Sequence, residues 1–129
     1  MDRAKRQAAM GVVFGFMAWF VAATFANFGL RAGIEGYSAV EGSLTFTFPM
    51  LVGRLLVGVV ASLAAGAVCA KIARSSPHAD AILGGVMVLL FVPIHAMLWD
   101  KFPAWYHLAF LISLAPIVLA GAEIVRRSR

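Results

Sequence analysis

The chain has 129 residues, of which 62% are hydrophobic and 13% are charged, and its formal net charge is +5. A charged fraction so far below the roughly 25% of soluble domains excludes an ordinary soluble protein and indicates an integral membrane protein. The excess of cations does not indicate nucleic-acid binding, because no basic segment is interleaved with aromatic residues on a polar surface. The single cysteine, Cys69, excludes an intrachain disulfide and a CxxC metal site.

Four apolar segments follow one another along the chain, at residues 9–30, 47–70, 80–99 and 103–124. Each is close to the roughly 20 residues that an α-helix needs to cross a bilayer, and the linkers are too short for a second domain. The first segment exceeds the roughly 7 to 15 residues of a signal-peptide core, so it is expected to stay in the membrane. The sequence therefore predicts one all-α membrane domain over residues 1–129, with four transmembrane helices in an up-down bundle.

Lysines and arginines are distributed unevenly between the two sides of this predicted bundle. When the four helices alternate in direction, eight cations fall on the side of the two termini. They are Arg3, Lys5, Arg6, Lys71, Arg74, Arg126, Arg127 and Arg129. Because short loops rich in Lys and Arg stay in the cytoplasm, the bias predicts a multi-pass protein of the cell inner membrane with both termini cytoplasmic.

The second apolar segment carries small residues at four-residue spacing, Gly58, Ser62 and Gly66, which share one face of a helix. Membrane helices rely on small residues to approach one another closely. We therefore expect these three residues to pack against other helices. Such faces also predict assembly into a homo-oligomer or a larger membrane complex within the lipid bilayer.

Arg54 lies in the same apolar segment and on the same face, and a guanidinium in this position needs a partner or a function. Three other polar residues, Asn27, His95 and His107, fall at a similar depth near the outer helix ends. If all four side chains point into the bundle, they meet in the outer leaflet. The sequence thus predicts a candidate binding cluster, with snorkelling of Arg54 to the outer interface as the alternative.

Three chemistries suit such a cluster. Arg54 offers a planar fork of donors to an anionic group, such as a lipid headgroup or a carboxylate, and histidine and asparagine complete the hydrogen bonds. His95 and His107 are also candidates for the axial ligands of a b-type haem, or for a proton or ion path. The structural alternative is that these polar residues satisfy one another and fix the register of the bundle. No other cofactor and no metal site is expected.

Residues at the predicted helix ends indicate structural roles. Trp99, Trp105 and Tyr106 surround the short outer turn and are typical of an aromatic belt at a membrane interface, with a ligand cage as the alternative. Asp80 follows a Ser-Ser-Pro linker and is predicted to cap the third apolar helix.

Residues 50–122 carry three motifs, GRLLVGVVASLAAGAVCAKIAR, SSPHADAILGGV and PAWYHLAFLISLAPIVLAGA. In these motifs the chain resembles a family of small bacterial inner-membrane proteins with four predicted helices and no assigned activity. The resemblance rests on an arginine early in the second helix, a Pro-x-Ala start to the third and a Trp-Tyr start to the fourth. It implies a four-helix topology, draws attention to Arg54, Trp105 and Tyr106, and implies no reaction.

Two functions remain open from the sequence. None of the motifs GxxxxGK[ST], GxSxG, HExxH or an EF-hand loop occurs, so an enzyme is not expected. The first function is that of a non-catalytic accessory or assembly subunit, or a homo-oligomer. The alternative is a small-molecule, lipid or ion binder or transporter that uses the cluster of Arg54, His95, His107 and Asn27.

Overall fold

In the computed structural model, which describes residues 1–129, the chain is entirely helical. The helices are α1 (Arg3–Gly33), α2 (Tyr37–Glu41), α3 (Phe48–Ile72), α4 (Ala79–Met97) and α5 (Ala104–Arg127). A single 3₁₀ turn, Trp99–Lys101, joins α4 to α5. Four helices, α1, α3, α4 and α5, are long and apolar enough to cross a membrane. The predicted all-α membrane fold with four spans is confirmed, and the protein is a multi-pass membrane protein.

Helix α1 begins at Arg3, well before the predicted start at residue 9. Asp2 caps it, because its side-chain oxygen Oδ1 accepts a hydrogen bond from the backbone N–H of Lys5 at 2.8 Å. Hydropathy marks the part of a helix that fits the bilayer, whereas a capped polar first turn extends the helix into water. The linker between α1 and α3 is also ordered, since it contains the short helix α2.

Asp80 does not cap α4, contrary to the prediction. His78 occupies the capping position, and Asp80 lies in the first turn, where its carboxylate pairs with Arg126 of α5. The two side chains join through Nη2–Oδ1 at 2.8 Å and Nη1–Oδ2 at 2.9 Å. A carboxylate that is almost completely buried requires a cation and hydrogen bonds, which the capping position does not supply.

The two chain termini lie at the same end of the bundle. Gln7 accepts a hydrogen bond from the backbone N–H of Ser75 in the α3–α4 linker at 3.4 Å, and Arg129 donates to the carbonyl of Ala70. We call this the terminal end of the bundle. The opposite end, which carries α2 and the 3₁₀ turn, is the loop end.

The four long helices form a ring in the order α1, α3, α5, α4. Helix α3 packs mainly against α1 and α5, whereas α3 and α4, which are consecutive in the chain, lie diagonally and touch little. Consecutive helices run in opposite directions, so α3 and α5 are parallel neighbours.

Small residues make the contact between α3 and α5 close. A Cβ atom at Gly66 would overlap the carbonyl of Val118, and one at Gly121 would overlap the carbonyl of Leu63. The other two predicted packing residues, Gly58 and Ser62, are also buried within the bundle. A Cβ at Gly58 would meet the ring of Phe110 at 3.0 Å.

The main core lies in the middle of the bundle. Ser62 accepts a hydrogen bond at 3.0 Å from Nε1 of the buried Trp19. Cys69 is completely buried in the same core and acts as a small packing residue.

Candidate functional site

A cavity of about 390 Å³ lies between the four long helices in the half of the bundle toward the loop end. Most of its wall is apolar, and a few polar side chains from α1, α2, α3, α4 and α5 interrupt it. The lining residues are Trp19, Phe20, Ala23, Thr24, Asn27, Glu41, Arg54, Val57, Gly58, Phe91, Ile94, His95, Leu98, Phe102, Tyr106 and Phe110.

The cavity opens sideways, between α1 and α4. These two helices meet near the middle of the bundle, where the rings of Trp19 and Phe91 lie 4.8 Å apart. Toward the loop end, exposed side chains from both helices line the cavity, namely Phe20, Thr24 and Ile94. In a bilayer this opening faces the lipid.

Arg54 is half-buried in the cavity wall and is held by aromatic residues. Its Nη1 donates to the hydroxyl of Tyr37 at 2.8 Å and its Nε to the hydroxyl of Tyr106 at 3.3 Å. Its guanidinium carbon lies 4.6 Å from the ring centre of Phe46 and 5.9 Å from that of Phe102. These cation–π contacts and hydrogen bonds hold the side chain inside the bundle.

The charge of Arg54 is not neutralised by a carboxylate, since none of the four ion pairs in the protein includes it. Two of the five N–H groups of a guanidinium are used in its hydrogen bonds, so three remain. Every fully buried side-chain nitrogen has a hydrogen-bond partner. The unpaired Nη2 is therefore accessible, and it belongs to a residue that lines the cavity.

A hydrogen-bonded network connects Arg54 to the loop end. The Tyr37 hydroxyl donates to Oδ1 of Asn27 at 3.0 Å, and Nδ2 of Asn27 donates to Oε2 of Glu41 at 3.1 Å. Arg31 completes the network with a fork to Glu41, through Nε–Oε1 at 2.7 Å and Nη2–Oε2 at 2.8 Å. Tyr37 has no exposed surface, so α2 is anchored to the bundle through this residue.

The charges of Arg31 and Glu41 compensate each other outside the spans. The hydrogen bond from Arg31 lowers the pKa of the Glu41 carboxyl to about 2, against the opposing effect of partial burial, and Asn27 lowers it further. Glu41 is therefore an anion that already has its partner. The charge of Arg54 also lowers the pKa of Glu41 but forms no ion pair with it, so these three charges leave one net positive charge.

His95 and His107 form a hydrogen-bonded pair, with 2.8 Å between their Nδ1 atoms. The carbonyl of Trp99 lies 3.2 Å from Nε2 of His107 and can only accept, so this nitrogen carries the proton in neutral His107. Nδ1 of His107 then accepts, and Nδ1 of His95 donates to it. Nε2 of His95 is left as an acceptor without a partner in the chain. Because no fully buried nitrogen lacks a partner, it is accessible from the cavity that His95 lines.

This histidine pair does not suit the axial ligands of a haem. Two imidazoles that coordinate one iron hold it between their nitrogens, whereas these two Nδ1 atoms are at direct hydrogen-bond distance. The rings also lie edge to face, at 85°. His95 and His107 therefore do not fit the haem hypothesis in this arrangement.

The structure brings three of the four predicted binding residues, Asn27, Arg54 and His95, to the wall of one cavity. The fourth, His107, is completely buried behind His95 and reaches the cavity only through it. Arg54 is half-buried in the bundle, and its guanidinium reaches toward the loop end, where Tyr37, Phe46 and Phe102 contact it.

The predicted aromatic belt divides into two groups. Trp99 and Trp105 are 44% and 40% exposed, as a belt requires. Tyr106 differs from the prediction, since it is only 4% exposed and its hydroxyl accepts from Arg54. The reason is that a buried guanidinium needs acceptors, and a phenolic hydroxyl supplies one inside an apolar wall.

Several residues of the site were not predicted, namely Tyr37, Glu41, Phe46 and Arg31. Tyr37, Glu41 and Phe46 lie in the linker between α1 and α3, where no helical period indicates which side chains turn inward. The one available signal was charge, because Arg31 and Glu41 are opposite charges in a segment with few others.

The site combines three chemical features. Its wall presents guanidinium N–H donors, an unprotonated imidazole nitrogen and an apolar surface that opens to lipid. Such a wall is suited to an anionic group attached to an apolar body.

Comparisons with known proteins found no family model that matches the chain, and no curated protein or solved structure that matches it. The resemblance to the small four-helix inner-membrane family therefore stays a prediction.

Proposed function

We propose that the protein is a non-catalytic, multi-pass protein of the cell inner membrane, with both termini cytoplasmic, that binds an anionic amphiphile. The ligand is a lipid or a lipid-like acid. It enters from the bilayer between α1 and α4, and its acidic group pairs with Arg54. The observation that carries the proposal is Arg54 itself, a guanidinium without an ion-pair partner and with an unused Nη2, in the wall of a mostly apolar cavity.

The partial burial of Arg54 supports an anionic ligand. Its backbone lies about 9 Å from the start of α3, at a rise of about 1.5 Å per residue, and its guanidinium reaches back to Tyr37 and Phe46 at the loop end. A guanidinium that is partly buried in an apolar wall is costly unless an anion accompanies it. Two tyrosine hydroxyls and the faces of two aromatic rings stabilise it in the free protein, but none of them carries the opposite charge.

The sideways opening supports the same proposal. Two of the three exposed residues at the opening, Phe20 and Ile94, are apolar and suit the acyl chain of a lipid. The hydroxyl of the third, Thr24, donates to a backbone carbonyl of its own helix. A water-soluble anion gains nothing from this surface, whereas an amphiphile buries its chain there while its acidic group reaches Arg54.

Binding of short-chain phosphatidylmethanol, measured by native mass spectrometry of the protein in mild detergent, tests the proposal. We expect one molecule per chain, and no comparable binding of phosphatidylcholine of the same chain length. Arg54→Gln should weaken the binding at least about tenfold, because a charge-assisted hydrogen bond is lost.

Arg74→Gln is the matched control, since Arg74 is an exposed arginine of the α3–α4 linker at the terminal end. We expect it to leave the affinity unchanged. Equal losses in the two variants would mean that the lipid binds to the basic terminal end, and an unchanged affinity in Arg54→Gln would contradict the proposal.

We propose as a second candidate that the protein is an accessory or assembly subunit, or a homo-oligomer. The observation that favours it is the exposure of α1, which buries only Gly11, Gly15 and Trp19. The small-residue face of α3 does not support it, because Gly58 and Gly66 already pack within the chain. The mass of the complex in native mass spectrometry separates a monomer from an oligomer or a heteromeric assembly.

A further inference from the structure

We infer that the cavity selects a phosphate monoester over a phosphate diester, because Nε2 of His95 receives a proton that only the monoester brings. The inference rests on the proposed binding of an anionic amphiphile at Arg54. It names the acidic group of that ligand.

The direction of the histidine hydrogen bonds carries the inference. The Trp99 carbonyl accepts from Nε2 of His107, so Nδ1 of His107 accepts from Nδ1 of His95. Both rings are thereby fixed in one tautomer. Nε2 of His95 becomes a bare acceptor on the cavity wall, and a bound group must present a hydrogen-bond donor to it.

The same wall requires an anion. Arg54 has unused N–H donors on Nη2, and an acidic group accepts from them. An ionised carboxylate offers only acceptor oxygens, so it has no donor for His95. A phosphate monoester has a third oxygen that is not esterified, and this oxygen is available for His95.

One proton is shared between that third oxygen and Nε2 of His95. The proton lies either on the phosphate, as P–OH, or on the imidazole ring, which leaves the phosphate as a dianion. The complex contains the same number of protons in both cases. The second pKa of a phosphate monoester, about 6, makes this sharing possible near neutral pH. A diester has no such proton, so every oxygen that it can place at the imidazole nitrogen is an acceptor.

The test compares the affinities of short-chain phosphatidic acid and phosphatidylmethanol, with the same acyl chains, for the full protein at about pH 7. We expect phosphatidic acid to bind at least about tenfold more tightly, which is the effect of one charge-assisted hydrogen bond. His95→Phe should reduce this preference by about tenfold. Equal affinities of the two lipids in the wild-type protein would overturn the inference.

The matched control is His78→Phe, because His78 is exposed at the terminal end, remote from the cavity. The His78→Phe variant should bind phosphatidic acid in preference to phosphatidylmethanol to the same degree as the wild type. If His95→Phe still preferred phosphatidic acid, the inference would be overturned. In that case, loss of binding of both lipids in Arg54→Gln would still support the proposed function. Failure of both lipids to bind the wild-type protein would instead contradict the proposed function.

A nitrogen NMR measurement on the wild-type protein covers the case in which His95→Phe does not fold. The Nε2 signal of His95 should shift when phosphatidic acid is added and stay in place with phosphatidylmethanol. An unmoved signal on saturation with phosphatidic acid would overturn the inference. If inorganic phosphate displaced phosphatidic acid at equal concentration, the preference for a protonated phosphate group would be supported. The proposal that the ligand is a lipid would be overturned.

Discussion

The two halves of the bundle are built on different principles. Toward the terminal end, glycine and alanine allow the helices to approach until backbone meets backbone, as where Gly66 of α3 faces the carbonyl of Val118 in α5. Toward the loop end, aromatic side chains, Arg54 and His95 stand between the helices and leave a cavity. The comparison shows that the helices are packed more densely in the half toward the terminal end than in the half toward the loop end. The close-packed half fixes the helices, and the loose half holds the polar groups and the space for a ligand.

Gly66→Val should break the close-packed half, with the largest effect that we expect from a single substitution. The new side chain overlaps the carbonyl of Val118, so α3 and α5 must separate. Overpacking costs about 1 to 3 kcal/mol in well-packed cores, and a clash with backbone should reach the upper end of that range. Unfolding in mixed detergents, followed by circular dichroism, measures it.

Gly85→Val is the control for this substitution, because a Cβ at Gly85 meets no atom within 4 Å. It introduces the same β-branched side chain in a transmembrane helix. Equal stability losses in the two variants would contradict the account of the α3–α5 contact.

Arg126→Leu should weaken the close-packed half by another route. It leaves the buried carboxylate of Asp80 without its cation, and loss of one partner of a buried pair costs several kcal/mol at most. Because Arg126 is 32% exposed, we expect a smaller loss of about 2 kcal/mol. The same unfolding assay measures it.

Arg127→Leu serves as the control, since Arg127 is 81% exposed and pairs with Glu123 at the surface. Its stability change should stay within about 0.5 kcal/mol of zero. If Arg127→Leu proved as destabilising as Arg126→Leu, the pair of Asp80 and Arg126 would have no special role.

Ala23→Phe should sharpen the comparison by filling the loose half. Ala23 lines the cavity, and a phenyl ring there occupies the space of the ligand while the helices keep their contacts. We expect phosphatidylmethanol to bind at least about tenfold more weakly, while the stability changes by less than about 1 kcal/mol.

Ala96→Phe places the same ring on an exposed position of α4, outside the cavity lining. Lipid binding should persist in this variant. Undiminished binding in Ala23→Phe would show that the lipid site lies elsewhere.

Acidification should loosen the loop end with the smallest effect. The pKa of Glu41 lies at about 2 in the folded protein, below the roughly 4.3 of an unperturbed glutamate. Its contribution to stability is therefore fully present above about pH 4.3 and is lost as the pH falls toward 2. Amide exchange in α2 should accelerate over this range, as the contacts of Glu41 with Arg31 and Asn27 break.

Glu41→Gln should remove this pH dependence of amide exchange. Carbon NMR of the Glu41 carboxyl gives its pKa directly. A midpoint near 4.3 would contradict the described pairing with Arg31.

The sequence was sufficient for the four spans, since each is a long apolar segment and the bilayer sets its length. It was also sufficient for placing Asn27, Arg54 and His95 at one depth, because depth follows from the count of residues along each helix. The neighbours in the ring were not predictable, since the small residues of α3 do not specify whether α4 or α5 packs on them.

The partners of Arg54 were likewise hidden in the sequence. Tyr37 and Phe46 lie in a linker without periodicity, and the turn of the chain around α2 decides which side chains face inward. Asp80 and Arg126 are separated by 46 residues, so only the packing of α4 against α5 reveals their pairing.

The most direct test of a ligand at Arg54 is the distance between the phosphorus of phosphatidic acid and the guanidinium nitrogens of Arg54. Solid-state NMR of labelled protein in bilayers measures it by phosphorus–nitrogen dipolar recoupling. The account predicts a distance of about 4 Å, as in a direct Arg–phosphate pair. It would be contradicted if Arg54 showed no coupling while the arginines of the terminal end did, because the lipid would then lie on the basic surface and not in the cavity.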